Sequence, residues 1–182
     1  MVRLYLVRHG RAAASFAEAF DPALAPEGRA QAEAVAERLG PLGPLPIVTS
    51  PLRRTRETAA PLERRWERAA RVEPAVAEIP SCEPDLPRRG EWLRGIVTAR
   101  WPALDADLSA WRGAVLAALA AIAEPSVVVT HFVAINVAVG AALDDDRVIV
   151  FSPDHCSVTV LDVAGGALRL VARGAEGATR VL

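Results

Sequence analysis

Two kinds of apolar pattern alternate along this chain, and that alternation constrains the fold more than any other feature. Short continuous runs rich in β-branched residues (Val2 to Val7, Leu45 to Thr49, Ser126 to Thr130) are each followed by segments whose apolar residues recur at helical spacing. Runs without polar alternation suit strands covered on both faces, and strands alternating with helices predict an α/β fold. The expected form is a three-layer sandwich with a mostly parallel central sheet flanked by helices. At 182 residues, 52% of them hydrophobic, the chain is long enough to bury the core of one domain, expected to span residues 1–182.

The helical segments carry start and stop signals. Pro26 and Glu27 suit a first turn, and the stripe Ala30, Ala34, Val35, Leu39 ends at Gly40 and Pro41. Ser50 and Pro51 read as the cap and first turn of a second helix. Two more helices are expected over Leu108 to Ile122 and Val133 to Leu143, and further strands at Val72 to Val76, around Arg147 to Phe151, at Ser157 to Val163 and at Leu168 to Ala172. Residues 78 to 107 hold four prolines and two glycines with little periodicity, which predicts a small irregular lid-like insertion. Trp92, Trp101 and Trp111 are expected to pack that lid onto the core.

The charges nearly cancel, 21 basic against 22 acidic residues, so nothing draws the whole chain to nucleic acid or an anionic membrane. All 21 basic residues are arginine, which removes P-loop, Schiff-base and lysine-base chemistry. Two cysteines, Cys82 and Cys156, are too few for a disulfide framework, and no charged-then-apolar leader pattern opens the sequence. The most apolar window, Val127 to Leu143, is short for a membrane span and contains Thr130, His131 and Asn136. These features predict a cytoplasmic protein without nucleic-acid or membrane partners; they do not indicate an oligomeric state.

The first apolar run breaks off at Arg8, His9 and Gly10, and the third at His131. In open α/β sheets ligands bind beyond the carboxyl ends of the strands, so the topology sends two of the three histidines to one rim. A neutral imidazole there is a competent nucleophile toward phosphorus near neutral pH. Arginines such as Arg8 and Arg54 supply fixed charge and bidentate hydrogen bonds to phosphoryl oxygens. Such a pocket needs neither metal nor cofactor.

Four segments in this order, "LVRHG", "DPALAPEGRAQA", "TSPLRRTRETA" and "VVVTHFVAINV", resemble the histidine phosphatase superfamily, the group that includes phosphoglycerate mutases, and "CSVTVL" is similar to a late strand of that fold. The resemblance implies that His9 is a nucleophile that becomes phosphohistidine and that Arg8 holds the phosphoryl group beside it. It selects Arg54, four positions after Ser50, over Arg53, and makes His131 the second pocket histidine. Glu78 stands where members often place the carboxylate that protonates the leaving oxygen and then activates water; Glu73, Glu83 and Asp85 compete for that assignment. Ser15 stands where mutases carry an asparagine, and Phe132 where many members carry a glycine. Both are expected at the phosphate or substrate, together with Arg88 and Arg89 near Trp92. Ala25 departs from a usual threonine.

The implied function is a metal-independent phosphatase acting on a small phosphorylated substrate and releasing inorganic phosphate; loss of the mutase run after Gly10 and the short chain argue against a mutase. Two alternatives remain open at this level, a protein phosphohistidine phosphatase and a non-catalytic module that binds a phosphorylated ligand. His155, beside Asp154 and Cys156, has no second ligand pair at metal-binding spacing and reads as a loop histidine near the rim. The remaining arginines of the second helix read as solvated or ion-paired, and Asp144 to Asp146 as a solvated turn.

Overall fold

The continuous apolar runs do become strands, and each divides its side chains between two cores. In the computed structural model, which describes residues 1–177, β1 (Val2–Arg8), β2 (Ile47–Thr49), β3 (Arg71–Val72), β4 (Ser126–Thr130), β5 (Val158–Ala164) and β6 (Ala167–Ala172) form one sheet in the order β3-β2-β4-β1-β5-β6. The members β3, β2, β4 and β1 run parallel, whereas β5 pairs antiparallel with β1 and β6 with β5. The sheet is therefore mixed, its parallel half holding the strands that the sequence marks most clearly. Opposite Arg3 on β1 lies Asp162 on β5, and a two-pronged ion pair at 2.9 and 3.0 Å pins that register.

Helices cover both faces. Val7, Ile47, Val127 and Val129 meet α1 (Pro26–Leu39) and α2 (Arg53–Trp66) on one side. Leu4, Leu6, Val48 and Val128 meet α3 (Leu86–Val97), α4 (Ala106–Ala120) and α5 (Phe132–Leu143) on the other. Residues one apart along a strand point to opposite faces, which is why uninterrupted apolar runs were needed. Helix α5 is buried continuously from Phe132 to Gly140, as expected of a helix that is apolar all round and wedged between the sheet and α4. No helix of the described residues is long and apolar enough to cross a membrane.

Four expectations need correction. The strand expected over Val72 to Val76 stops after Val72, because Pro74 opens a 3₁₀ turn, Pro74–Val76, capped by the Glu73 carboxylate. Arg147 to Phe151 is not a strand: only an isolated bridge joins Arg147 to Arg100, and the backbone N–H groups of Val150 and Phe151 donate to Asn136 Oδ1 instead. The insertion at 78–107 is not irregular throughout. Asp85 accepts from the Arg88 N–H and caps α3, with Pro87 in its first turn. Gly90 hid that helix from the periodicity, yet the fold needs it, since a Cβ there would stand 2.7 Å from Cβ of Ala17. Finally, Ser50 does not cap α2, which begins at Arg53 after Leu52; its hydroxyl accepts from Leu52 N–H and faces His131.

Trp92 packs against the α3–α5 core beside Phe16, and Trp101 lies 6.2 Å from Trp111. The acidic turn after α5 is paired, Asp145 with Arg147 and Asp146 with Arg100.

Candidate active site

The carboxyl ends of β1 and β4 lie side by side, Arg8 paired with Thr130, and the chain leaves both strands at the same rim. The His9 N–H continues the ladder by donating to Thr130 O at 3.0 Å. This register brings the rings of His9 and His131 to 5.2 Å, edge to face. From β2 the chain turns through Ser50 into α2, whose first turn carries Arg54 under the same rim. One hydroxyl ties the two segments: Gly10 N–H donates to Thr58 Oγ1, and that hydroxyl donates to Arg54 O.

The bonds of His9 fix its proton. Nδ1 lies 2.7 Å from Gly10 O, which only accepts, so in the neutral ring Nδ1 carries the hydrogen and Nε2 the lone pair. Arg54 Nε–H donates to that Nε2 at 3.2 Å. Burial, then the charges of Arg54 and Arg8, hold the His9 pKa well below the ordinary imidazole value, so the ring is neutral and nucleophilic at pH 7.

Arg8 is 3% exposed and donates to Pro153 O at 2.8 Å, while its Nε has no partner among the described residues. Burial draws its pKa down to about 10, which leaves it charged at neutral pH. Its guanidinium lies 4.9 Å from the ring centre of Phe132. Two buried cations so close together repel one another unless an anion comes between them. Glu78 is the carboxyl that interacts with both. Its Oε1 accepts from Ile79 N–H and from Val133 N–H in the first turn of α5, and burial raises its pKa against the pull of those donors and of both arginines.

Arg8, His9, Arg54, Glu78, Phe132, Ser15 and His155 all line one cleft of about 380 Å³. His131 does not line it; the ring is fully buried behind His9, with Nε2 2.8 Å from Ser50 Oγ and Nδ1 unpartnered among the described residues. Glu73, Glu83 and Asp85 are occupied with local turns, Glu73 with Arg71 and Ala75 N–H, Glu83 with Asp85 N–H and Asp85 with α3, leaving Glu78 as the carboxyl in the cleft's inner end. His155, whose ring centre is 6.0 Å from that of His9, is pushed down to about 4 by burial and the charge of Arg8, and is neutral. Burial pushes the Cys156 thiol up to about 12, so it is no nucleophile.

Of the three remaining expected contacts, Ser15 lines the cleft with its hydroxyl already engaged, and Arg88 and Arg89 lie outside it. Ser15 turns its backbone N–H and hydroxyl to Glu18, lowering that carboxyl's pKa. Arg88 is exposed and away from the cleft. Arg89 does not line the cleft either; it stacks on Phe16 at 3.4 Å and donates to Phe16 O at 3.0 Å, fastening α3 to the segment that forms the cleft wall. The sequence assigns Ser50 only the part of a helix cap and marks no site role for Thr58 or for Asp21, which accepts the Arg53 N–H at 2.7 Å and lies 3.9 Å from the Arg54 guanidinium. Single polar residues with distant partners leave no spacing signal. Among the described residues no group of three or more His, Cys, Asp and Glu is placed to hold a metal ion.

Comparison with known proteins agrees with this geometry. Residues 4–83, which carry β1, α1, α2 and Glu78, match the model of the histidine phosphatase superfamily (branch 1). By sequence, no curated protein matches the chain. Among solved structures, a mycobacterial glucosyl-3-phosphoglycerate phosphatase bound to VO3 is 26% identical with a TM-score of 0.73, covering 97% of this chain and 100% of its own. A protein described as mycobacterial hydrolase 1 is also 26% identical, with a TM-score of 0.73, 97% of this chain and 99% of its own being covered. A phosphoserine phosphatase from Entamoeba histolytica in complex with phosphoserine shares the fold at 19% identity, TM-score 0.72, over 96% of this chain and 98% of its own. With His9 and His131 on adjoining strand ends and Arg8 and Arg54 beside them, the chain is similar to the histidine phosphatase superfamily in sequence over residues 4–83 and to solved phosphatase structures in fold over nearly its whole length.

Proposed function

We propose that this protein is a metal-independent phosphatase that hydrolyses phosphate monoesters through a phosphohistidine on His9. The observation that carries the reading is the state of His9: a neutral ring whose Nδ1–H is committed to Gly10 O, leaving the Nε2 lone pair in a cleft between two buried guanidiniums. The phosphate dianion of a substrate takes the place between Arg8 and Arg54, and charge spreading over the phosphoryl oxygens in the transition state meets those fixed cations. His9 Nε2 attacks phosphorus as the ester P–O bond breaks. Glu78, its pKa raised by burial, gives its proton to the departing alcohol oxygen. The resulting carboxylate then accepts a proton from water, which attacks the phosphohistidine; the P–N bond breaks, and inorganic phosphate leaves with His9 and Glu78 restored.

Support for a small-ester substrate comes from the similar mycobacterial enzyme, named a glucosyl-3-phosphoglycerate phosphatase, and from a cleft of about 380 Å³, the size of a metabolite site. The test is to quench turnover of a ³²P-labelled monoester in alkali. Label that survives base, is lost in acid and maps to His9 is the expected result; an unlabelled protein during turnover, or label on any other residue, rejects the mechanism.

A further inference from the structure

The phosphoryl chemistry uses the inner end of the cleft and leaves its mouth unexplained. There the wall is built by residues 11–25, whose apolar lining includes Ala12, Phe16, Ala19, Phe20 and Ala25, with Arg11 and Glu18 as its charged members and the buried Phe132 at its inner edge. Phe20 is 54% exposed, a large apolar ring left in water at the entrance to a cationic site. This wall is held in place, since Arg89 stacks on Phe16, lies 5.0 Å from Phe20 and donates to Phe16 O.

The charges at the mouth are poorly suited to a second anion. Arg11 is already paired with Glu27 at 3.2 Å. Glu18 lines the same cleft as a carboxylate kept ionised by Ser15, and His155 is neutral. Arg88 is exposed away from the cleft, and the Arg89 guanidinium does not line it but is engaged by the wall itself, stacked on Phe16 and donating to Phe16 O and Ala19 O.

We infer that the preferred substrates are monoesters of uncharged, apolar alcohols, aryl or alkyl, whose carbon skeleton covers Phe16, Phe20 and Phe132, and that esters bearing a second negative charge are disfavoured. This rests on the phosphatase reading above. It sets the chain apart from the similar mycobacterial enzyme, which is named for glucosyl-3-phosphoglycerate, a compound that carries a carboxylate.

The experiment compares pentyl phosphate with the phosphate monoester of 4-hydroxybutanoate. Both leave as primary alcohols of similar length, so a difference in kcat/KM reports on the wall. Pentyl phosphate is expected to be better by about tenfold or more, and kcat/KM is expected to rise about threefold for each methylene from ethyl to pentyl phosphate. Phe20→Arg, an exposed change whose folding is checked by circular dichroism, should bring the ratio of the pair to about one or invert it. Equal or better turnover of the carboxylate ester by the unaltered protein, or a flat chain-length series, overturns the inference while phosphatase action stands. Absence of turnover for every ester overturns the phosphatase reading and this inference with it.

Discussion

The inner and outer halves of the cleft are built on opposite principles. At the inner end Arg8, His9, Arg54 and His131 leave the terminus of a strand or the first turn of a helix, and Glu78 follows the 3₁₀ turn Pro74–Val76; all are at most 9% exposed, and each has at least one bond to a neighbouring element. The outer wall, residues 11–25, contains no helix or strand beyond a single bridge between Ala12 and Leu24. It is fastened at a few points only: Arg11 N–H to Gln31, Leu24 N–H to Glu57, Arg53 N–H to Asp21, and the Arg89 clamp. On the proposed mechanism the sheet sets where phosphorus would react, while a segment free of ladder constraints borders the rest of the cleft.

That division breaks first, if it is wrong, at His9. His9→Ala should lower kcat/KM for an aryl phosphate by about ten-thousand-fold or more, and a loss under a hundredfold would place the chemistry elsewhere. Arg54→Lys keeps a charge but loses the fork that reaches both His9 and the phosphoryl oxygens, so about a hundredfold fall in kcat/KM is expected from steady-state rates. Glu78→Gln should cost about a hundredfold on alkyl phosphates, yet less than about tenfold on 4-nitrophenyl phosphate, whose phenolate needs no proton.

The pH profile gives the same test a sign. Protonating His9 removes the nucleophile, and its lowered pKa puts that acid limb below the ordinary imidazole value of 6.5. Deprotonating Glu78 removes the acid, and its raised pKa puts that limb above the ordinary carboxyl value of 4.5. Glu78→Gln should therefore abolish the alkaline limb on alkyl esters and leave the acid limb where it was.

In the outer half the effects should be smaller and of another kind. Arg89→Met leaves two carbonyls of the wall without their donor, and is expected to lower stability by about 1–2 kcal/mol in urea titration and to raise KM severalfold with kcat little changed. An equal fall in kcat would mean that Arg89 reaches the reacting group. Smallest of all, Ser15→Ala should alter kcat/KM by less than about threefold, since its hydroxyl is turned to Glu18; a tenfold loss would return Ser15 to the phosphate.

What the sequence made legible follows the same boundary. Val2 to Val7 and Ser126 to Thr130 read as strands buried on both faces, so the strand ends that carry Arg8, His9 and His131 were legible from local pattern, whereas Arg54 and Glu78 were marked out only by the family resemblance. The α3 helix was obscured because Gly90, required by the approach of Ala17, breaks an otherwise recognisable cap at Asp85. Arg147 to Phe151 looked like a strand because its apolar residues are buried. Its backbone is satisfied by the Asn136 side chain, a partner fourteen and fifteen positions away that no periodicity announces. Arg89 was read as a substrate contact because charge near an aromatic cluster is ambiguous until the direction of the guanidinium is known. Ser50 was taken for a helix cap because the residue type fits both roles.

Gly10 and Gly28 face each other without side chains. A Cβ on Gly10 would stand 2.5 Å from Gly28 O, and one on Gly28 would run into Arg11 O. The α1 backbone therefore rests directly on the carbonyl-bearing turn that decides which ring nitrogen of His9 holds its hydrogen. A side chain at position 28, on a helix with no part in the proposed reaction, would press on the backbone of Arg11, the residue that follows that turn.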